Sequence, residues 1–457
     1  MNGFNIAMMP GMRNVIEQID LFDVESELLL EIGATDGAEF VSYPNVGGIE
    51  ERELVFLDHT LTKTILKRPE TRSFPLLASF SREQISGDPI CKDASGNTII
   101  AQDGQTLRFN FNPFYLHLWN ITENFHNIST GSRRNLMLFL YFRTPGFIRD
   151  ALRTRARRIK NYGIHSLKDL HTVSQSSNII VKLIEDHLSS VGTIEKPNSK
   201  FSAVLSHDID IDFCQTEGYK ITSSIEADEG VKSTWFFVPK SRRYKINKTT
   251  IEELISQENE IGLHGLTHSG TLNLRNLEVL RKQIREGRLI LNALGAEVES
   301  FRSPFMLRSP ILLRALEEEG FTTDSSYPDI DTLGLTGGLP GVHYNRAFRP
   351  FLLDTLSKQC LLNLWEIPSS TPQDVQIIED LNLDDNQVVD IWRYKAEFCK
   401  DYGGVFVHHS HPWFIAKNPE IFVQTIRLLK DIDADIVQMR RLSAEKNQAI
   451  SVILKQY

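Results

Sequence analysis

The chain has 457 residues, more than one hydrophobic core usually organises, so two domains are expected. Its 41% hydrophobic and 24% charged residues are those of an ordinary globular protein, and a formal net charge of -9 offers no general attraction to nucleic acid or anionic lipid. Neither is expected as a partner. Residues 1–30 lack a basic start followed by an unbroken apolar stretch, and no later segment offers eighteen uncharged apolar residues, so a cytoplasmic protein without membrane insertion is expected. Cys91, Cys214, Cys360 and Cys399 stand far apart with no CxxC pair, which argues against a disulfide framework and a thiolate zinc site.

Between about 38 and 125 the pattern is strand-like: FVSY, ELVFLDH, PLLASF and TIIAQDGQTLRFNF are separated by Gly, Asp and Asn turn signals. Residues 145–160 read as a helix opened by Pro145, with Arg149, Arg153, Arg155, Arg157, Arg158 and Lys160 on its surface. That surface reads as a solvated face rather than a polyanion site, because the whole is acidic. SNIIVKLIEDHL carries Ile180, Leu183, Ile184 and Leu188 at helical spacing, and the polar stretch GTIEKPNSK follows. A boundary near residue 196 therefore divides a mixed α+β accessory domain, 1–195, from a second domain, 196–457.

Beyond it, short apolar runs (SAVLSH, STWFFV, EIGLH, NLWEI, VFVHHSH, ADIVQM) alternate with amphipathic helices. The helices are TIEELISQ, NLRNLEVLRKQIREGRLILNAL, PILLRALEEEG and PEIFVQTIRLLKDID. Leu277, Leu280, Ile284 and Leu291 mark one buried stripe, and Thr250 with Glu253 suits a capping box. Such alternation predicts a parallel sheet, open or closed into a barrel, with an active site at the carboxyl ends of its strands.

Residues of metal-ligand character stand at those strand ends. VLSHDIDID turns from apolar strand to His207, Asp208, Asp210 and Asp212, and HGLTH spaces His264 and His268 to share one face of a helical turn. Two imidazoles and one carboxylate form a usual three-ligand set on a divalent ion, and a second carboxylate beside them suits a general base toward the attacking water. Alternation along a strand puts Asp208 and Asp210 on one side. Arg302, Asp324, Glu366 and the trio His408, His409 and His411 follow at later strand ends. Taken singly, each has a bland reading as an ion pair, a cap or a strand residue; their order is harder to attribute to chance.

The ordered set HDID (207–210), HGLTH (264–268), RSP (302–304), TDSSY (323–327) and HHSHP (408–412), with GVKSTWFFVP between the first two, resembles the polysaccharide deacetylases of the NodB and carbohydrate esterase type. The likeness runs from about residue 200 to the end and extends to an HDxD-bearing subgroup with an extra N-terminal domain. It implies a distorted (β/α) barrel of about seven or eight parallel strands. It also implies a metal-dependent hydrolase that removes an acetyl group, N-acetyl before O-acetyl, from a sugar or surface-polysaccharide precursor. By position, Asp208 is implied as general base, Asp210, His264 and His268 as metal ligands, and Arg302 as the group orienting the base. Asp324 is implied as a tether for the late histidine or a pocket wall, and His411 as general acid, passing over His408 and His409. Because Ile209 separates the two acids, base and ligand can be exchanged between Asp208 and Asp210. Met306 stands where the family often has Gly. Zinc is the first expectation for the cation, with manganese, cobalt or iron compatible. Tyr327, His343, Tyr344, Arg346 and Trp413 are candidates for sugar contact by their neighbourhood to the motifs. Two rival readings are a hydrolase of a non-sugar C–N bond and a non-catalytic carbohydrate-binding protein on the same fold. A two-His-one-carboxylate iron oxygenase fits less well, since the alternation differs from the all-β barrel such enzymes use.

Overall fold

The computed structural model describes residues 40–42, 50–57, 73–78, 80–81, 84–104, 106–111, 113, 144, 176–190, 201–329, 345–350, 352, 362–376 and 384–455. The basic helix expected at 145–160, Cys360, His343, Tyr344 and the boundary near 196 lie outside them.

The first half contributes a six-stranded sheet of β1 (Phe40–Ser42), β2 (Glu50–Phe56), β3 (Ser73–Ala78), β4 (Asp88–Asp93), β5 (Thr98–Asp103) and β6 (Thr106–Phe109), in the order β1-β6-β5-β4-β2-β3. Its pairs are antiparallel except β1 with β6. The run expected as one strand, TIIAQDGQTLRFNF, is a hairpin that turns at Gly104, whose φ of 60 suits a residue without Cβ. β4 went unforeseen because DPICKD is short and mixed; Asp93 closes its turn by accepting from the N–H groups of Ser95 (3.0 Å) and Asn97 (2.9 Å). Helix α1 (Ser176–Ser190) buries Ile179, Ile180, Leu183 and Ile184. Its buried Asn178 bonds the Asn345 side chain and the Gly403 carbonyl, the latter at 2.9 Å, which ties this helix to the second half.

The second half is a wholly parallel sheet of β7 (Ser202–Ile209), β8 (Thr234–Phe237), β9 (Glu260–Leu263), β10 (Ser300–Phe301), β11 (Thr323–Asp324), β12 (Trp365–Glu366) and β13 (Phe406–Ser410), in the order β12-β11-β10-β9-β8-β7-β13. β14 (Asp435–Ile436) joins the start of β7. The curl nearly closes, because Ser370 N–H donates to the Val407 carbonyl (3.1 Å) and brings the segment after β12 against β13. Helices α2 (Tyr219–Asp228), α3 (Lys248–Ser256), α4 (Leu277–Asn292), α5 (Pro310–Glu318), α6 (Asp385–Tyr402), α7 (Pro412–Lys417), α8 (Pro419–Asp431) and α9 (Met439–Lys455) fill the connections and the end of the chain. This is the α/β barrel-like architecture expected from the strand-helix alternation. No helix among the described residues is long and apolar enough to cross a membrane.

Local signals explain most helix ends. Asn276 caps α4 and Ser309, followed by Pro310, caps α5. The Thr250–Glu253 capping box is not formed. Asn247 caps α3 instead, while Thr250 donates to the Gln215 carbonyl (2.8 Å) and Glu253 accepts from the Tyr219 hydroxyl (2.7 Å). In α4, Leu280, Ile284 and Leu291 are buried and Leu277 is partly so. Cys91, Cys214 and Cys399 are free thiols and buried.

Period-two alternation decides what each strand gives to the interior. Along β7, Val204 packs in the sheet interior with Phe236, Trp365 and Val407, whereas Ala203 and Leu205 pack outward on Trp392, Phe414 and Phe422. Ser206 and Asp208 thus fall on the interior side, and His207 on the helix side, against Trp235 (4.6 Å between ring centroids) and Glu226 (2.9 Å). β9 approaches its neighbours at Gly262, where a Cβ would meet the Phe236 ring at 2.6 Å and the Ser300 carbonyl at 3.0 Å. Gly262→Ala is expected to cost roughly 1–3 kcal/mol of folding free energy by overpacking. Leu289→Ala, at a side chain 62% exposed, should stay within about 0.5 kcal/mol, both read by urea denaturation.

Candidate active site and metal centre

Asp210 stands just past the end of β7 and receives two imidazoles. Its Oδ1 lies 3.3 Å from His264 Nε2 and 3.0 Å from His268 Nε2. His264 follows β9 directly, and its Nδ1 faces the Arg302 carbonyl at 2.8 Å, which makes Nδ1 the protonated nitrogen and turns Nε2 inward. HGLTH is not a helical turn, however. Gly265 takes φ 66 and His268 φ 52, and Lys240 N–H holds the loop through the Leu266 carbonyl (2.8 Å). The two rings still meet, 5.1 Å between centroids.

Asp208 is 2% exposed and fully engaged. Arg302 Nη1 donates to its Oδ1 at 3.0 Å, and its Oδ2 lies 2.8 Å from His409 Nε2 and 3.5 Å from His264 Nε2. Burial opposes the Asp208 carboxylate, but His264, His409 and Arg302 outweigh it and hold its pKa well below the usual carboxylate range. The completely buried Arg302 spends its remaining donors on Ser206 Oγ (2.9 Å), Ser325 Oγ (3.0 Å) and the Ser325 carbonyl (3.2 Å), with its guanidinium over the Phe236 ring at 4.5 Å.

On the opposite side, His411 presents Nε2 to Asp210 Oδ2 at 3.5 Å. Its Nδ1 lies 3.0 Å from both oxygens of Asp374, which also accepts its backbone N–H at 2.6 Å. Burial disfavours the imidazolium, yet the Asp374 and Asp210 carboxylates outweigh it and raise the His411 pKa well above the ordinary histidine value. Asp374 is the member of this cluster that the sequence concealed. It lies in STPQD, a stretch without periodicity, and long-range contacts fix it. Asp329 pairs with the buried Lys395 and accepts from Thr371 N–H (2.8 Å) and Oγ1 (2.5 Å), while Trp392 Nε1 donates to the Pro372 carbonyl (3.0 Å).

Asp324 does not tether the late histidine. It lies on β11, paired in register with Glu366 of β12, so β12 and the segment after it intervene before β13. Ser326 Oγ donates to its Oδ1 at 2.5 Å, and burial pushes its pKa up to about 6. The passed-over histidines divide by alternation. His408 faces outward between Trp392 (4.5 Å) and Phe422 (5.5 Å), where burial pushes its pKa down to about 3. His409 faces the site, and the two-residue step from His411 to His409 was the signal for it.

Of the sugar-contact candidates, Trp413 stands beside the site, its ring 6.1 Å from that of His411. Tyr327 is buried against Phe348 (5.5 Å), beneath Arg308. Arg346 is also buried; it donates to the Tyr402 carbonyl (3.0 Å) and packs under Gly403, an anchoring role rather than a cleft position. Met306 adopts φ 54 next to Phe305 at φ 59, so the backbone there makes a left-handed turn without a glycine.

Asp210, His264 and His268 form a borderline-hard His₂-carboxylate set whose ligand atoms lie within 4.8 Å of one another. Asp210 Oδ1 is buried with no well-aligned hydrogen bond among the described residues, an orphan that a divalent cation would satisfy. The residues therefore fit such an ion. Asp374→Asn should lower the His411 pKa in metal-free protein, read from the imidazole proton shifts in an NMR titration. A folded pKa raised above the unfolded one stabilises below the unfolded value and loses that contribution as pH rises through the folded value. Burial opposes the Asp374 carboxylate, but His411 lowers its pKa on balance, and Asp374 loses its contribution as pH falls through that lowered value. The variant should accordingly lose stability most from mildly acid to neutral pH and less at strongly acid and alkaline pH.

Residues 197–323 match the polysaccharide deacetylase family model, a span that includes Asp208, Asp210, His264, His268 and Arg302 and ends before Asp374 and His411. A search of curated proteins found no match. Among solved structures, the chain is similar to one from Mycobacterium smegmatis provisionally assigned to the polysaccharide deacetylases (17% identity, 56% of this chain and 93% of that one, TM-score 0.44). It is also similar to a family 4 carbohydrate esterase from Streptomyces lividans, solved with acetate (11%, 52% and 91%, 0.34). A family 4 pseudoenzyme from Bacillus anthracis is similar too (13%, 54% and 66%, 0.35). Residues 197–323, about a quarter of the chain, are thus similar to the polysaccharide deacetylase family.

Proposed function

We propose that this protein is a metal-dependent deacetylase that hydrolyses an acetyl group, N-acetyl in preference to O-acetyl, from a sugar. The observation that carries this reading is the flanking of one His₂-carboxylate triad by two separately anchored groups, Asp208 held by Arg302 and His411 held by Asp374.

Asp210, His264 and His268 would hold a divalent cation, zinc first among the candidates, which supplies Lewis acidity to the acyl carbonyl and lowers the pKa of the attacking water. Asp208 takes the proton that water gives up as it attacks the carbonyl carbon. Arg302 fixes the direction in which that carboxylate points, and its buried charge keeps Asp208 ionised and ready to accept. His411, whose Nδ1 the Asp374 carboxylate holds and whose charge it favours, gives its proton to the sugar nitrogen as the C–N bond breaks; acetate and the amine are the products. Trp413 offers an aromatic face beside His411 for a sugar ring. Between Asp208 and Asp210, the contacts favour Asp210 as ligand, since both triad imidazoles converge on its Oδ1 while Asp208 is committed to Arg302.

The test measures metal content together with acetate release from N-acetylated sugars, nucleotide sugars and oligosaccharides. Asp208→Asn should retain the metal and lose acetate release by roughly 10²–10⁴-fold, and His264→Ala should lose the metal. Bound metal without acetate release from any sugar would favour another C–N substrate. Absence of metal with retained sugar binding would favour a non-catalytic binding protein, as would full function in Asp208→Asn.

A further inference from the structure

The cavity holds a second convergent set of ligand atoms beside the triad. Asp208, His409 and His411 are all buried, and one ligand atom from each lies within 4.8 Å of the others. Asp208 Oδ2 and His409 Nε2 are 2.8 Å apart, and the two histidine rings lie 5.6 Å apart and only 35° from parallel. Each imidazole is fixed from behind. His409 Nδ1 faces Ser369 Oγ at 3.2 Å, and His411 Nδ1 faces both oxygens of Asp374 at 3.0 Å, so both Nε2 atoms turn inward. Outer partners on Nδ1 are what set an imidazole as a metal ligand in advance.

The two sets share edges. Asp208 Oδ2 is 3.5 Å from His264 Nε2 of the triad, and Asp210 Oδ2 is 3.5 Å from His411 Nε2 of the second set. Two carboxylates are thus placed to bridge neighbouring ions and offset their repulsion. The deacetylation steps assign no role to His409, although it is buried with Nε2 against a carboxylate. We propose that Asp208, His409 and His411 form a second, weaker divalent-cation site, and that its occupation by excess zinc blocks deacetylation by engaging the base and the acid together. It is the weaker site because Arg302 already occupies Asp208 Oδ1 and places a positive charge beside it, and because a cation there must displace to solvent the proton that Asp374 and Asp210 hold on His411. The inhibition rests on the deacetylase reading; the binding does not.

The experiment is zinc titration of the full chain by equilibrium dialysis and elemental analysis, on wild type, His409→Gln, Asp374→Asn and His264→Ala. Wild type should take up two equivalents with separate affinities. His409→Gln should retain the tighter one alone, and His264→Ala should lose the tighter one. Asp374→Asn, which removes both the outer partner of His411 and the charge that holds its competing proton, should shift the affinity of the second equivalent and leave that of the tighter one unchanged. Saturation of wild type at one equivalent, or a second equivalent unaffected by His409→Gln, overturns the proposal. Should His409→Gln fail to fold by circular dichroism, cobalt-loaded wild type decides. A second cobalt that alters the paramagnetic resonance of the first through a bridge supports adjacent sites, and two magnetically isolated ions refute them. In turnover, zinc beyond the first equivalent should inhibit wild type and leave His409→Gln uninhibited; equal inhibition of both refutes the blocking role. Two bound equivalents with no acetate release from any sugar would leave the second site standing while the deacetylase reading fell.

Discussion

The buried ion pair between Arg302 and Asp208 is the constraint on which the site depends. A guanidinium with no exposed surface is tolerable only when its donors are met, and here they are met by Asp208, Ser206 and Ser325, from β7 and the loop after β11. Breaking such a pair from one side leaves an uncompensated buried charge at a cost of about 3–5 kcal/mol. The carboxylate proposed as base is therefore also a group that the fold needs in one position. The same arginine holds His264 through its carbonyl, so one residue fixes the proposed base and a proposed metal ligand together.

Alternation then distributes the chemistry. The two-residue step of β7 sends Ser206 and Asp208 inward and leaves His207 to Glu226 and the helices. The same step along β13 sends His409 inward and His408 to Trp392 and Phe422. A histidine beside an acid in the sequence is thus not necessarily beside it in the site. Charge does not follow that division: burial pushes the pKa of outward His408 down to about 3 and of inward His409 to about 4, while the carboxylates beside inward His411 raise its pKa well above the ordinary value.

The parallel sheet, its helices and the grouping of Asp208, Asp210, His264, His268 and Arg302 were legible in the sequence, because each sits where an apolar run ends and motif order carries the rest. Four things were not. Asp374 lies on a segment placed by the buried Lys395–Asp329 pair and by Trp392, contacts between residues far apart in the chain. Of the two duties implied for Asp324, the tether failed because strand order, invisible locally, separates β11 from β13. The cap of α3 moved to Asn247 because tertiary partners claimed Thr250 and Glu253. In the first half, β4 escaped notice because DPICKD carries too few apolar residues in alternation to stand out from a loop.

The most direct test is acetate release from an N-acetylated oligosaccharide panel by the full chain, before chelation, after chelation, and after return of a stoichiometric amount of zinc. A divalent cation working through Asp210, His264 and His268 predicts turnover that falls to background on chelation and recovers with the metal in wild type but not in His264→Ala. Undiminished acetate release from metal-free protein would contradict it.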